Sequence, residues 1–273
     1  MDTELNDRVV MVTGASGGIG QEVARAFVAE GARVIAHYRR GAEHANALAQ
    51  ELGKKCVPLA ADLTREGEVE SLFAQAESAC GPIEVLIANA GYWPANDAPI
   101  QQMSLEQWNQ TIAVDLTSVF LCMREFFRGI AKHGITEPSA VLIGSTAGIF
   151  GEAGHADYAA AKAGVTYGLA RTLKNEICRL TPRGRVNVVC PGWTFTPMTK
   201  RFAEDSPRVR RVLQTIPLRK VARPQDVANA IVYLASSHLS GHVTGQILTV
   251  AGGMEGRVLY YPSEVDVVGG SEA

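Results

Sequence analysis

The chain is poor in the residue patterns that stabilise small secreted or metal-built proteins. Its five cysteines, Cys56, Cys80, Cys122, Cys178 and Cys190, are odd in number and contain no C-x-x-C spacing. That argues against a disulfide framework and a zinc site, and leaves buried thiols in a reducing, cytoplasmic compartment as the expectation. The six histidines, at 37, 44, 133, 155, 238 and 242, form no H-E-x-x-H or other ligand pattern, so no metal is expected. Charge of one sign is also lacking, since 26 Lys and Arg against 28 Asp and Glu leave a net charge of -2. Neither a nucleic acid nor an anionic membrane is suggested by that balance. No apolar run approaches the roughly 18 residues of a membrane span, and the stretch Met1 to Arg8 is polar, unlike a signal peptide.

What remains is an ordinary soluble composition, 47% hydrophobic over 273 residues, enough for one large core. Arg8 to Thr13 reads as a strand buried on both faces, because its apolar run is continuous. It runs into TGASGGIG and a helix from about Gly18 to Glu30. Gly14, Gly18 and Gly20 allow a tight turn and let a phosphate approach the amides at the helix N-terminus, although the G-x-x-x-G-x-G spacing is not the general G-x-G-x-x-G. A second strand, Arg33 to His37, ends at Tyr38, Arg39 and Arg40. With no carboxylate at that tip to hold a ribose and two guanidiniums to hold a 2′-phosphate, NADP(H) is favoured over NAD(H).

Helix and strand then alternate: helix Ala42 to Leu52, strand Cys56 to Ala60, helix Thr64 to Cys80, strand Ile83 to Ala88. Short connections of this kind imply a single α/β domain, a doubly wound Rossmann-type fold with a parallel sheet. Asp62 and the run Asn89-Ala90-Gly91 fall just after strands three and four, where open α/β sheets bind ligands. Ser104 should cap a long helix from Leu105 to Lys132. A strand from Val141 to Ile143 leads to Ser145, and a helix near Asp157 carries Tyr158 and, four residues on and so on the same face, Lys162. A phenol that exchanges a proton near neutrality needs its anion stabilised by about 3 to 4 kcal/mol, which an adjacent ammonium can help supply, while a serine hydroxyl can donate to a developing negative oxygen. A strand Arg185 to Val189 leads to Cys190-Pro191-Gly192, and the basic, proline-punctuated segment Trp193 to Pro217 is expected as a lid, its RVRR run at 208–211 more simply a solvated face. A helix Pro224 to Ser236 and a strand Ile247 to Val250 complete seven strands.

With TGASGGIG, Asp62-Leu63, Asn89-Ala90-Gly91, Ser145, Tyr158-x-x-x-Lys162 and Pro191-Gly192 in order, residues 6–254 resemble the short-chain dehydrogenase/reductase family. The run STAGIFGEAGHADYAAAKAG is most similar to its 3-oxoacyl-carrier-protein reductase branch. The resemblance implies that Tyr158 is the general acid in reduction, that Ser145 holds the substrate oxygen, and that Lys162 lowers the pKa of the tyrosine and binds the nicotinamide ribose. It implies that Gly14, Ser16, Gly18, Ile19 and Gly20 wrap the pyrophosphate, with Tyr38 and Arg39 at the adenosine end and Asp62 and Leu63 beside the adenine. Asn89, Ala90 and Gly91 would support the adenosine side, and Pro191, Gly192, Thr194 and Thr196 would line the nicotinamide. Where the family has asparagine in a V-N-L setting, this chain has Val114-Asp115-Leu116. An ionised Asp115 accepts hydrogen bonds but cannot donate them, and it would favour the charged form of a nearby Lys162, which alters the proton relay.

Trp93, Glu152, His155 and Trp193, with Tyr92, are the expected substrate-pocket residues. The tail Glu255 to Ala273, with Val258, Leu259, Tyr260 and Tyr261, extends past the family core and is expected to cover the pocket or a neighbouring subunit. The expected function is an NADPH-dependent oxidoreductase interconverting a carbonyl (3-oxoacyl thioester, ketone or cyclic) and a secondary alcohol, acting as a homotetramer or homodimer on a small molecule. A NAD-dependent sugar or polyol dehydrogenase and a cofactor-binding sensor stay open as alternatives.

Overall fold

The computed structural model describes residues 2–94, 97–196 and 212–254. Seven strands lie in one sheet: β1 (Val9–Val12), β2 (Arg33–Tyr38), β3 (Cys56–Ala60), β4 (Val85–Ala88), β5 (Ser139–Ile143), β6 (Arg185–Pro191) and β7 (Ile247–Val250). The order is β3-β2-β1-β4-β5-β6-β7, and every pairing is parallel. The chain winds outward from β1 in one direction and from β4 in the other, so the crossover helices diverge between those two strands and open a crevice at their carboxyl ends.

The continuous apolar strands are continuous because both faces are covered. Val9 and Met11 enter one core with Leu72 of α3 (Glu66–Cys80), Phe126 of α5 (Ser118–His133) and Ile177 of a later helix, Ala170–Leu180. Val10 and Val12 enter the other with Val23 and Phe27 of α1 (Gly18–Ala29), Leu48 of α2 (Ala42–Leu52) and Ile231 of the helix Pro224–Ala235. Alternate residues of one strand thus serve opposite layers.

Element ends follow local chemistry. The helix expected from Thr64 starts at Glu66, because the Asp62 carboxylate accepts from Thr64 N at 3.0 Å and Thr64 Oγ1 at 2.7 Å and closes a turn first. Ser104 caps α4 (Leu105–Ile112), accepting from Gln107 N at 3.1 Å as expected. The helix expected to run unbroken from 105 to 132 contains a widened π-type turn, Ala113–Thr117, between α4 and α5. A second such turn, Gly164–Leu169, separates α7 (Ala156–Ala163) from α8 (Ala170–Leu180). α6 (Thr146–Phe150) is a short turn of helix after β5, and α9 (Pro224–Ala235) begins with proline at its first position while Asp226 accepts from Arg223 N at 2.8 Å.

All five cysteines are free, but Cys178 is exposed rather than buried as expected. No helix among the described residues is long and apolar enough to cross a membrane. The middle of the expected lid, including the RVRR run, and the tail from Glu255 lie outside the described residues.

Candidate active site

The crevice is built by knitting the end of β1 to the end of β4. Thr13 Oγ1 accepts from Asn89 N and Ala90 N, each at 2.9 Å, and the Asn89 amide donates back to Thr13 O at 2.9 Å and Gly14 O at 3.3 Å. Gly14 sits at φ +67°, and a Cβ there would come 2.9 Å from Ala90 Cα, so only glycine lets the two turns touch. A Cβ on Gly20 would lie 2.3 Å from Gly14 O, which fixes the loop against the first turn of α1. No side chain among the described residues caps α1. Its first turn therefore faces the cleft through Gly17, Gly18, Ile19 and Gly20. A helix start of this kind is suited to a phosphate.

One cleft of about 510 Å³ runs from this loop across the sheet end. Its outer end is lined by Ser16, Arg39, Arg40 and His44, then by Asp62, Leu63, Asn89, Ala90 and Gly91. Arg39 Nη1 lies 3.6 Å from Asp62 Oδ1. Its inner end holds Ser145, Tyr158, Lys162, Pro191, Gly192, Thr194 and Thr196, with Tyr92, Trp93, Glu152 and Trp193 around them. The cleft therefore gathers most of the residues expected from sequence, drawn from seven separate segments. Three lie elsewhere. Tyr38 ends β2 half-buried but is not a lining residue, because alternation along the strand points it away where Arg39 turns in. His155 is completely buried and bonds Asp97 instead of facing the cleft. Asp115 is buried behind Lys162.

Ser145 does two things at once. It is the cap of α6, accepting from Ala147 N at 3.1 Å, and it lies in the cleft beside Tyr158. Lys162 Nζ donates to Ile143 O at 3.1 Å, stands 3.2 Å from Asp115 Oδ1 and lies 5.7 Å from the centre of the Tyr158 ring. Gly148 permits this packing, since a Cβ on it would meet the Lys162 carbonyl carbon at 2.7 Å. The π-type turn aims Asp115 inward, where it also accepts from Tyr92 N at 3.1 Å.

Burial, which outweighs the attraction of Lys162, pushes the Asp115 carboxyl up from its ordinary range. Burial first and the Asp115 charge second raise the Tyr158 phenol well above 10, against a hydrogen bond to Ser145 that lowers it. Lys162, which the family resemblance expects to acidify Tyr158, has its ammonium 3.2 Å from the Asp115 carboxylate.

A family model described as Enoyl-(Acyl carrier protein) reductase matches residues 14–255. The 3-oxoacyl-[acyl-carrier-protein] reductase of Synechocystis sp. is 35% identical over 258 residues, spanning 92% of this chain and 98% of that protein. The 3-oxoacyl-[acyl-carrier-protein] reductase FabG of Escherichia coli is 35% identical over 252 residues, 90% of this chain and 97% of that one. The chain belongs to the short-chain dehydrogenase/reductase family. A solved structure from Brucella melitensis, described as a short-chain dehydrogenase/reductase and glucose/ribitol dehydrogenase, superposes with a TM-score of 0.83 at 30% identity, covering 93% of this chain and 99% of that one. As a short-chain dehydrogenase/reductase it is a nicotinamide-dependent oxidoreductase that interconverts a carbonyl and an alcohol by hydride transfer.

Sequence reading missed His37, whose position on a buried strand gave no chemical signal. Its Nε2 donates to Ala61 O at 3.0 Å, which leaves Nδ1 to accept from Gly14 N at 3.1 Å, so a neutral ring supports the glycine loop of this short-chain dehydrogenase/reductase. Burial lowers the His37 pKa from 6.5 to about 4. The unfolded chain therefore takes up this proton at higher pH than the folded one. The resulting stabilisation is complete above about pH 6.5 and is lost as pH falls toward 4, by roughly 2 to 3 kcal/mol at pH 4.5. Urea unfolding at pH 7 and pH 4.5 should show wild type losing that much more stability than His37→Gln, and equal losses in the two proteins would refute the assignment.

Proposed function

We propose that this short-chain dehydrogenase/reductase reduces the carbonyl of a 3-oxoacyl thioester or related ketone with NADPH, Tyr158 delivering the proton. The reading is carried by the meeting of Ser145, Tyr158 and Lys162 at the inner end of a cleft whose outer end offers a helix N-terminus and two arginines. The names of the curated relatives support the oxoacyl substrate, and the aromatic walls Tyr92, Trp93 and Trp193 suit an apolar acyl chain. The nicotinamide, when bound, supplies the hydride. Gly14, Ser16, Gly18, Ile19 and Gly20 would hold its pyrophosphate and Lys162 its ribose, with Asp62, Leu63, Asn89, Ala90 and Gly91 along the adenosine side. Pro191, Gly192, Thr194 and Thr196 would bound the nicotinamide.

In this mechanism the Ser145 hydroxyl donates to the substrate oxygen, and the phenolic O–H of Tyr158 transfers its proton to that oxygen as negative charge develops there. Lys162 stabilises the phenolate left behind, and Asp115 fixes Lys162 in place. The protonated phenol is the form that acts as donor in reduction. The glucose/ribitol neighbour and the polar Glu152 support a second reading, a NAD-dependent sugar or polyol dehydrogenase. The Asp115–Lys162 pair supports a third, a cofactor-binding sensor with little turnover. Assembly as a homotetramer or homodimer through α5 and the helix carrying Tyr167 is supported by Phe120 and Tyr167, 45% and 42% exposed.

Tyr158→Phe should lower kcat/KM for thioester reduction at least about a hundredfold while the NADPH Kd stays within about twofold. Retention of more than a tenth of the activity would overturn the role. Removing the negative charge in Asp115→Asn should lower the phenol pKa and move the acidic limb of the alcohol-oxidation pH profile to lower pH. An unmoved limb would show that Asp115 does not act on the phenol. Arg39→Asp should shift the NADPH-to-NADH preference, measured as the ratio of kcat/KM values, at least about tenfold toward NADH, equivalent to about 1.4 kcal/mol of lost phosphate contact. Equal use of both coenzymes by the native protein would remove the argument from the arginines.

A further inference from the structure

The loop after β4 and the loop before α7 are fastened to each other beside the inner end of the cleft. Asp97 Oδ1 accepts from His155 Nε2 at 3.0 Å, Ala98 N donates to Gly154 O at 2.9 Å, and the Trp93 ring packs on the His155 ring with centroids 4.6 Å apart. Gly154, at φ +81°, is what lets the two backbones approach, since a Cβ there would stand 3.0 Å from Asp97 Cβ. The His155 side chain is wholly buried, whereas that of Asp97 is 53% exposed. With Nε2 donating to the carboxylate, Nδ1 is left buried without a hydrogen-bond partner among the described residues. A buried imidazole with one nitrogen unsatisfied costs free energy. The position would be filled more cheaply by an apolar residue if it served only the core. What the imidazole gains is a directed bond to a second loop and an aromatic face for Trp93.

That face matters because Trp93 lines the cleft beside Glu152, and His155 is three residues from Tyr158. We propose that Asp97 and His155 form a positioning pair that holds Trp93 as a wall of the substrate end of the cleft, and so help determine which carbonyl compounds bind productively. Neither residue touches substrate in this scheme. The pair acts through Trp93, and the inference rests on the reading above that the Tyr158 end of the cleft receives the substrate.

Asp97→Ala removes the acceptor at a half-exposed position, and Asp97→Asn keeps an acceptor oxygen for Nε2. Protein labelled with 5-fluorotryptophan reports Trp93 directly by fluorine NMR, its resonance identified as the one missing in Trp93→Phe. Asp97→Ala should shift or broaden that resonance, and Asp97→Asn should restore it. In steady-state reduction of acetoacetyl-CoA and of a longer 3-oxoacyl-CoA, Asp97→Ala should raise KM at least about fivefold for one or both, with kcat and the NADPH Kd within about twofold of wild type. An unmoved Trp93 resonance in Asp97→Ala would overturn the pair as a positioning device. A moved resonance with unchanged KM would overturn its part in substrate recognition. A moved resonance in a protein whose wild type reduces neither thioester supports the positioning of Trp93 and counts instead against the proposed thioester function.

Discussion

Everything at the sheet end depends on one hydroxyl. Thr13 closes β1 with an oxygen that receives two backbone amides from the turn after β4, and the Asn89 amide returns two bonds to the backbone around Gly14. These bonds hold open the crevice that the diverging crossovers create, at the point where the chain turns from winding one way to winding the other. His37 then braces the same glycine turn from the neighbouring strand. Backbone groups that would otherwise need water are satisfied within the protein, so the loop facing the cleft has its shape fixed by its own bonds.

The second constraint is electrostatic. A carboxylate with no exposure lies against an ammonium that is itself nearly buried, and desolvation acts on both members of such a pair. The arrangement is sustained by further bonds, from Tyr92 N to Asp115 and from Lys162 to Ile143 O. The Asp115 charge raises the Tyr158 phenol alongside burial, the larger cause.

The architecture was largely legible in the residues. Continuous apolar runs marked two-sided strands, Ser104 marked a helix start, and the glycines of TGASGGIG marked a turn that the backbone could make in few other ways. The four-residue step from Tyr158 to Lys162 put both on one helical face, and the cleft receives both. The wide turn at 113–117 was not legible, because π-type insertions follow from how a helix packs against its neighbours.

Histidine shows where local reading ends. His155, in a loop flanking the tyrosine, had the credentials of a substrate ligand, yet it is enclosed between Trp93 and Asp97, while His37, on a strand interior, supports the glycine loop. Both outcomes turn on partners 58 or 23 residues away along the chain. The sequence by itself determined the parallel α/β fold and the glycine turn, because each follows from spacing along a strand or a single turn, while the Ser, Tyr and Lys set was expected from the family resemblance together with the helical step from Tyr158 to Lys162. Only the tertiary structure decided which histidine meets which loop and which cation Asp115 lies against. Those depend on distances between segments that folding alone brings together, and on how much water it leaves around them.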